Sequence, residues 1–204
     1  MAAQIFDQVL AKGIRAGNVP ARTAKAREWY RNQAKAMAKS GAKSGVTGEN
    51  VLKQSKSTMT GTPRMGNMYL FEYDAKHKDK LPYWDRFPLI FPINKAKGGF
   101  MGINVHYLPP ILRARLMDAL YGTLTNKKYD ETTRLQISYE LLNSASKFKE
   151  FKPCIKHYLN SQMRSRFAYI SPSEWDIALF LPMAKFVGAS KQKVYADSRK
   201  IIRG

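Results

Sequence analysis

The chain has 204 residues and carries 35 lysines and arginines against 15 aspartates and glutamates, a formal net charge of +20, with 44% hydrophobic and 12% aromatic residues. That apolar content excludes a chain that stays disordered, and the length accommodates one compact domain with an arm or two small domains. The single cysteine, Cys154, excludes an intramolecular disulfide, and three scattered histidines offer no zinc-ligand spacing.

No run approaches the ~18 apolar residues of a membrane-spanning helix, and Met1 to Gln4 leads into an amphipathic segment instead of a signal-peptide core. Synthesis in a reducing cytoplasm without membrane association is expected. A charge of this size repels itself in a compact state unless a polyanion neutralises it. Nucleic acid is the first expectation, ahead of an anionic membrane face or an acidic protein.

Taken in chain order, residues 1–67 hold twelve basic residues against Asp7, Glu28 and Glu49, about twice the charge density of the remainder. They are expected to form a basic helical arm and linker, and residues 68–204 the body. Gln4 to Gly13 predicts a short amphipathic helix, with Ile5, Phe6, Val9 and Leu10 on one side and Gly13 and Gly17 ending it. A second helix is expected from Ala21 or Thr23 to about Lys39. In it Arg27, Arg31, Lys35 and Lys39 recur every fourth position along one face, where like charges call for an anion or solvent. Ser40 to Thr62, rich in Gly, Ser, Thr and Lys, reads as a flexible linker or a segment that orders only on a partner.

In the body, Met68 to Tyr73, Phe87 to Ile93 and Phe100 to Leu108 read as strands. Pro88 and Pro92 place the second on an edge or at a bulge, since proline cannot donate to a ladder. Asn94 to Gly99 reads as the hairpin tip, carrying Lys95 and Lys97. After Pro109-Pro110 the period becomes helical: Leu112, Leu116 and Leu120 form a stripe with Arg113 and Arg115 off it. Further helices are expected after Asp130, with Leu135, Tyr139, Leu142 and Ala145 inward, and from Pro153, with Ile155, Tyr158, Leu159 and Met163 inward. Ser171-Pro172-Ser173-Glu174 is a capping box launching a helix through Trp175 and Ala178, and Ser190 to Arg203 is a last basic helix. The fold class is α+β: a small antiparallel sheet or partial barrel followed by a helical C-terminal half.

Catalytic chemistry finds little purchase. Glu72-Tyr73-Asp74-Ala75-Lys76 and Glu150-Phe151-Lys152 place an acid two residues before a lysine, a spacing that chance supplies in so basic a chain. His106, on an alternating strand, reads as a hydrogen-bonded structural residue, and Cys154 as a buried thiol. Gly98-Gly99 lacks the context of a phosphate loop. No catalytic residue, metal, cofactor or small-molecule substrate is therefore expected. Nucleic-acid contact is expected instead from Arg27, Arg31, Lys35 and Lys39 of the arm. In the body it is expected from Trp84 and Arg86, where an aromatic ring sits beside a cation, and from Lys95, Lys97, Arg113, Arg115, Lys127 and Lys128.

The run from Tyr73 to Pro92 (YDAKHKDKLPYWDRFPLIFP), with Gly98 to Pro110, Arg113 to Asp118, Phe151 to Lys156 and Glu174 to Pro182, resembles virion proteins of large contractile-tailed bacteriophages. Among these it is most similar to the DNA end protector family, over roughly residues 65 to 200. The resemblance implies a non-enzymatic virion protein, made in the host cytoplasm, that sits on the end of the packaged double-stranded DNA near the portal and neck and shields it from host exonuclease. The alternative is a structural neck or baseplate component whose main ligand is protein. An RNA-binding regulator would need the glycine-aromatic motif of the common sheet modules, which is absent.

Overall fold

In the computed structural model, residues 5–18, 23–40, 45–55, 58–124, 140, 142–144 and 149–204 are described. The chain opens with α1 (Ile5–Arg15), α2 (Ala24–Lys39) and α3 (Gly48–Gln54). α1 buries Phe6 and Val9 and ends where Gly17, at φ 77°, lets the Asn18 N–H return to the Gly13 carbonyl. The Thr23 hydroxyl caps α2 by accepting the Ala26 N–H, and Thr47 caps α3 by accepting that of Asn50. Ala26, Tyr30 and Ala34, four apart, turn one face of α2 inward, and the Tyr30 hydroxyl donates to the Asn18 carbonyl, closing the α1–α2 hairpin.

Among the described residues eight strands follow: β1 (Met59–Thr60), β2 (Met68–Leu70), β3 (Trp84–Asp85), β4 (Leu89–Ala96), β5 (Gly99–Asn104), β6 (Ile155–Leu159), β7 (Phe167–Ile170) and β8 (Phe186–Val187). Six make one antiparallel sheet in the order β1-β7-β2-β4-β5-β6, and β3 pairs with β8 apart from it. The second half contributes, among the described residues, the helices α4 (Pro110–Leu124), α5 (Trp175–Ala178) and α6 (Lys191–Arg203), besides helical residues at 140 and 142–144. The protein is thus α+β.

Alternation along the strands divides the core in two. Met68, Leu70, Leu89, Phe91, Ile103, Ala168 and Ile170 face the helices, where the Trp175 indole meets the Phe91 ring edge-on at 5.0 Å. Tyr69, Ile90, Phe100, Tyr158 and Phe167 face the other way, joined by Phe71 and Tyr73 in an aromatic layer with ring centroids 4.9 to 6.2 Å apart. Phe6, Val9, Tyr30 and Ala34 belong to the same apolar cluster as Trp175, Leu179 and Leu116. The N-terminal helices are packed onto the body and do not stand off it as an arm.

Several expectations need correction. The segment read as a linker contains α3 and β1, with Val46, Val51 and Leu52 buried; its Gly and Ser content marks caps and turns around a short apolar core. Of the two placements expected for the strand with Pro88 and Pro92, edge or bulge, the bulge holds: β4 lies inside the sheet, between β2 and β5. Pro92 fits there because the register shifts between Pro92 and Asn94, a bulge that leaves Ile93 without a partner in the ladder. Residues 155–159 form β6 and not a helix, and a 3-10 turn precedes it at Lys149–Cys154. The hairpin tip is Lys97-Gly98, with Gly98 at φ 73°. The capping box and the last helix are as read: the Ser171 N–H donates to the Glu174 carboxylate at 2.8 Å, and Ser190 caps α6. The helix expected after Asp130 falls almost entirely outside the described residues, among which Leu142 is buried.

Candidate nucleic-acid interface

The four-step cationic ladder of α2 divides between interior and surface. Arg31 is buried. Its Nε donates to Asp176 at 2.5 Å and its Nη2 to Asp118 at 2.8 Å. Arg27 lies 3.4 Å from the same Asp118 carboxylate. Burial works against the Arg31 charge, but the two carboxylates outweigh it and hold its pKa above the ordinary value. These two arginines dock α2 onto α4 and α5 and are removed from the expected DNA-binding face, because their guanidinium groups are already engaged by the buried Asp176 and by Asp118. Lys35, whose ammonium sits 4.8 Å from the centre of the Phe180 ring, and Lys39 remain exposed.

Arg113 also belongs to the interior, at 5% exposure. Its guanidinium donates to the carbonyls of His106, Leu108 and Leu179 at 2.7 to 2.9 Å and to the Tyr195 hydroxyl at 2.5 Å, tying α4 to α6 and to the 3-10 turn Val105–Tyr107. Beside it the Asp85 carboxylate accepts from His106 Nδ1 at 2.6 Å, Asn104 Nδ2 at 3.2 Å and the backbone N–H groups of Phe87 and Lys185. Burial alone would raise the Asp85 pKa, yet these donors hold it below the usual carboxylate range, while burial pushes His106 below the usual imidazole range. A neutral His106 therefore donates from Nδ1. The pair is wholly buried, so it resembles a general-base dyad in geometry only and has no route to a substrate. Burial likewise pushes the Cys154 thiol up to about 12, which leaves it unreactive. Among the described residues no three His, Cys, Asp or Glu side chains converge as a metal site, and no helix is long and apolar enough to cross a membrane.

The remaining expected contacts lie outside. Lys95, Lys97 and Arg115 are exposed; Lys127 and Lys128 lie outside the described residues. Trp84 and Arg86 come together with residues the sequence reading left out. Glu72, Tyr73, Asp74, Trp84, Arg86, Arg164 and Val187 line a groove of about 470 Å³. It forms because the Tyr73 N–H donates to the Arg86 carbonyl and the Arg164 N–H to the Glu72 carbonyl, clamping residues 72–74 between β3 and the segment before β7. Arg86 pairs with Glu72 at 2.7 Å; Asp74 pairs with Lys78 at 2.5 Å and Arg164 at 3.2 Å. The bond from Lys78, with a smaller one from Arg164, holds the Asp74 carboxyl below its usual range. Lys78 reaches the groove through Asp74, and Lys76 and Lys80, also exposed, stand on the same turn. The sequence signal for that turn was the run Lys76-His77-Lys78-Asp79-Lys80; nothing local pointed to Arg164, which is 90 residues from Asp74.

Fold and surface together define a basic α+β protein with exposed cations on several elements and a groove lined by Trp84, Arg86 and Arg164. A family model described as the Phage T4 terminal DNA protecting protein matches residues 16–203, and the chain belongs to that family. Searches of curated proteins and of solved structures found no match.

Proposed function

We propose that the protein binds the ends of double-stranded DNA in a phage particle, near the portal or neck, and shields them from exonuclease without itself catalysing a reaction. The family match over residues 16–203 carries this reading. A net charge of +20 supports it, as do cations left exposed at Lys35, Lys39, Lys76, Lys80, Lys95, Lys97 and Arg115.

The test is digestion of linear duplexes of two lengths by an exonuclease at fixed protein per end. An end protector blocks digestion at a few molecules per end whatever the length. Protection that scales with protein per base pair, or none, would reject the reading and leave a structural neck or baseplate component with a protein ligand.

A further inference from the structure

A protein that only clasps phosphates cannot tell a terminus from the middle of a duplex, because the backbone is the same in both. What an end alone offers is a base that can leave the stack at little cost, together with its own phosphate. Accepting the end-protection reading above, we propose that the groove at Trp84 is the pocket for one unstacked nucleotide at the DNA terminus.

The lining supplies each part of such a ligand. Trp84, half-buried at the groove wall, presents aromatic surface in a groove that the buried Tyr73 also lines, and every base has a face that stacks on such surface regardless of sequence. Glu72 and Asp74 supply carboxylate oxygens that accept from exocyclic amino groups. Arg86 and Arg164 supply forked donors that suit a phosphate. The volume of about 470 Å³ lies within the range of roughly 300 to 1,000 Å³ typical of small-molecule pockets.

The two arginines already hold carboxylates, yet both pairs are open to water, with side-chain exposures of 46% and 28% for Arg86 and Glu72 and 49% and 32% for Arg164 and Asp74. Exposed pairs of this kind are weak and exchange partners readily. Counting Lys78, three cations face two carboxylates, and the turn that carries Lys78 also bears the exposed Lys76 and Lys80, which the adjoining backbone would meet.

Affinity would be measured for a short linear duplex and for a covalently closed dumbbell of equal length, which has no terminus. The wild-type protein is expected to prefer the linear form. Trp84→Ala should weaken linear binding by roughly tenfold or more, the scale of one lost base stack, while leaving dumbbell binding unchanged. Because Trp84 also packs against the aromatic layer, Arg164→Gln provides a second variant at an exposed position outside the core, with the same selective loss expected. A folded variant that keeps the full preference for ends, or one that loses linear and dumbbell binding alike, overturns the pocket while the end-protection reading stands. A wild-type protein with no preference for the linear form overturns both.

Discussion

His106 makes the acid response of this protein predictable. Its folded pKa lies below the ordinary value because the ring is wholly buried, so the unfolded chain takes up a proton near pH ~6.5 that the folded chain refuses. Stability from this group is present above that pH and is lost as the pH falls below it. Asp85, also held below its ordinary value, adds a loss of the same sign as the pH falls through the carboxylate range. The urea midpoint should therefore drop between pH 7.5 and 5.5, and His106→Gln, less stable at neutral pH, should show a flatter dependence over that interval. Equal midpoints at the two pH values in the wild-type protein would contradict this. The structural roles of His106 and Cys154 were legible from residue type and strand context. That of Arg113 was not, since the leucine stripe placed it off the core. The reason lies in the carbonyls of His106 and Leu108 nearby and of Leu179, 66 residues away, which need a donor once a 3-10 turn and a helix end are buried together.

The second helix shows how one element holds two roles that spacing alone merges. Its cations at every fourth residue are equivalent in sequence, yet Arg27 and Arg31 reach Asp118 and Asp176 while Lys35 and Lys39 reach solvent. Arg31→Gln should lower stability by about 3 to 5 kcal/mol, because Asp176, 2% exposed, loses its charged partner. Lys35→Gln with Lys39→Gln should change stability by no more than about 0.5 kcal/mol each, while lowering the salt slope of DNA binding by up to ~2. Urea unfolding and a DNA titration at several salt concentrations separate the two outcomes; an Arg31 variant of unchanged stability would return that residue to the surface. Elements with their own punctuation were legible, such as the capping box at Ser171 and the hairpin at Gly98. β6 was not, because Ile155, Tyr158 and Leu159 satisfy helical spacing and also stand in an alternating run, and pairing with β5 decides between them.

For the molecule as a whole, exposed cations dispersed over several elements would carry the proposed DNA binding mainly through phosphates. If about 6 to 10 phosphates are engaged, affinity should fall by on the order of a thousandfold or more between 50 and 200 mM salt, and a flat response would remove DNA as the principal ligand. Charge and the α+β class were visible in composition and pattern. The groove was only half visible, since Trp84 and Arg86 are neighbours in sequence whereas Arg164 arrives through strand pairing. That same pairing governs how the chain is born. β7 lies between β1 and β2, so the sheet cannot close around its first strands until Phe167 to Ile170 have left the ribosome. Until then β2 exposes one unpaired edge to its surroundings, and the hairpin of β4 and β5 must wait, formed but incomplete. Folding is therefore largely post-translational, and a message cut short before the codons for β7 yields an aggregation-prone fragment and not a smaller working protein.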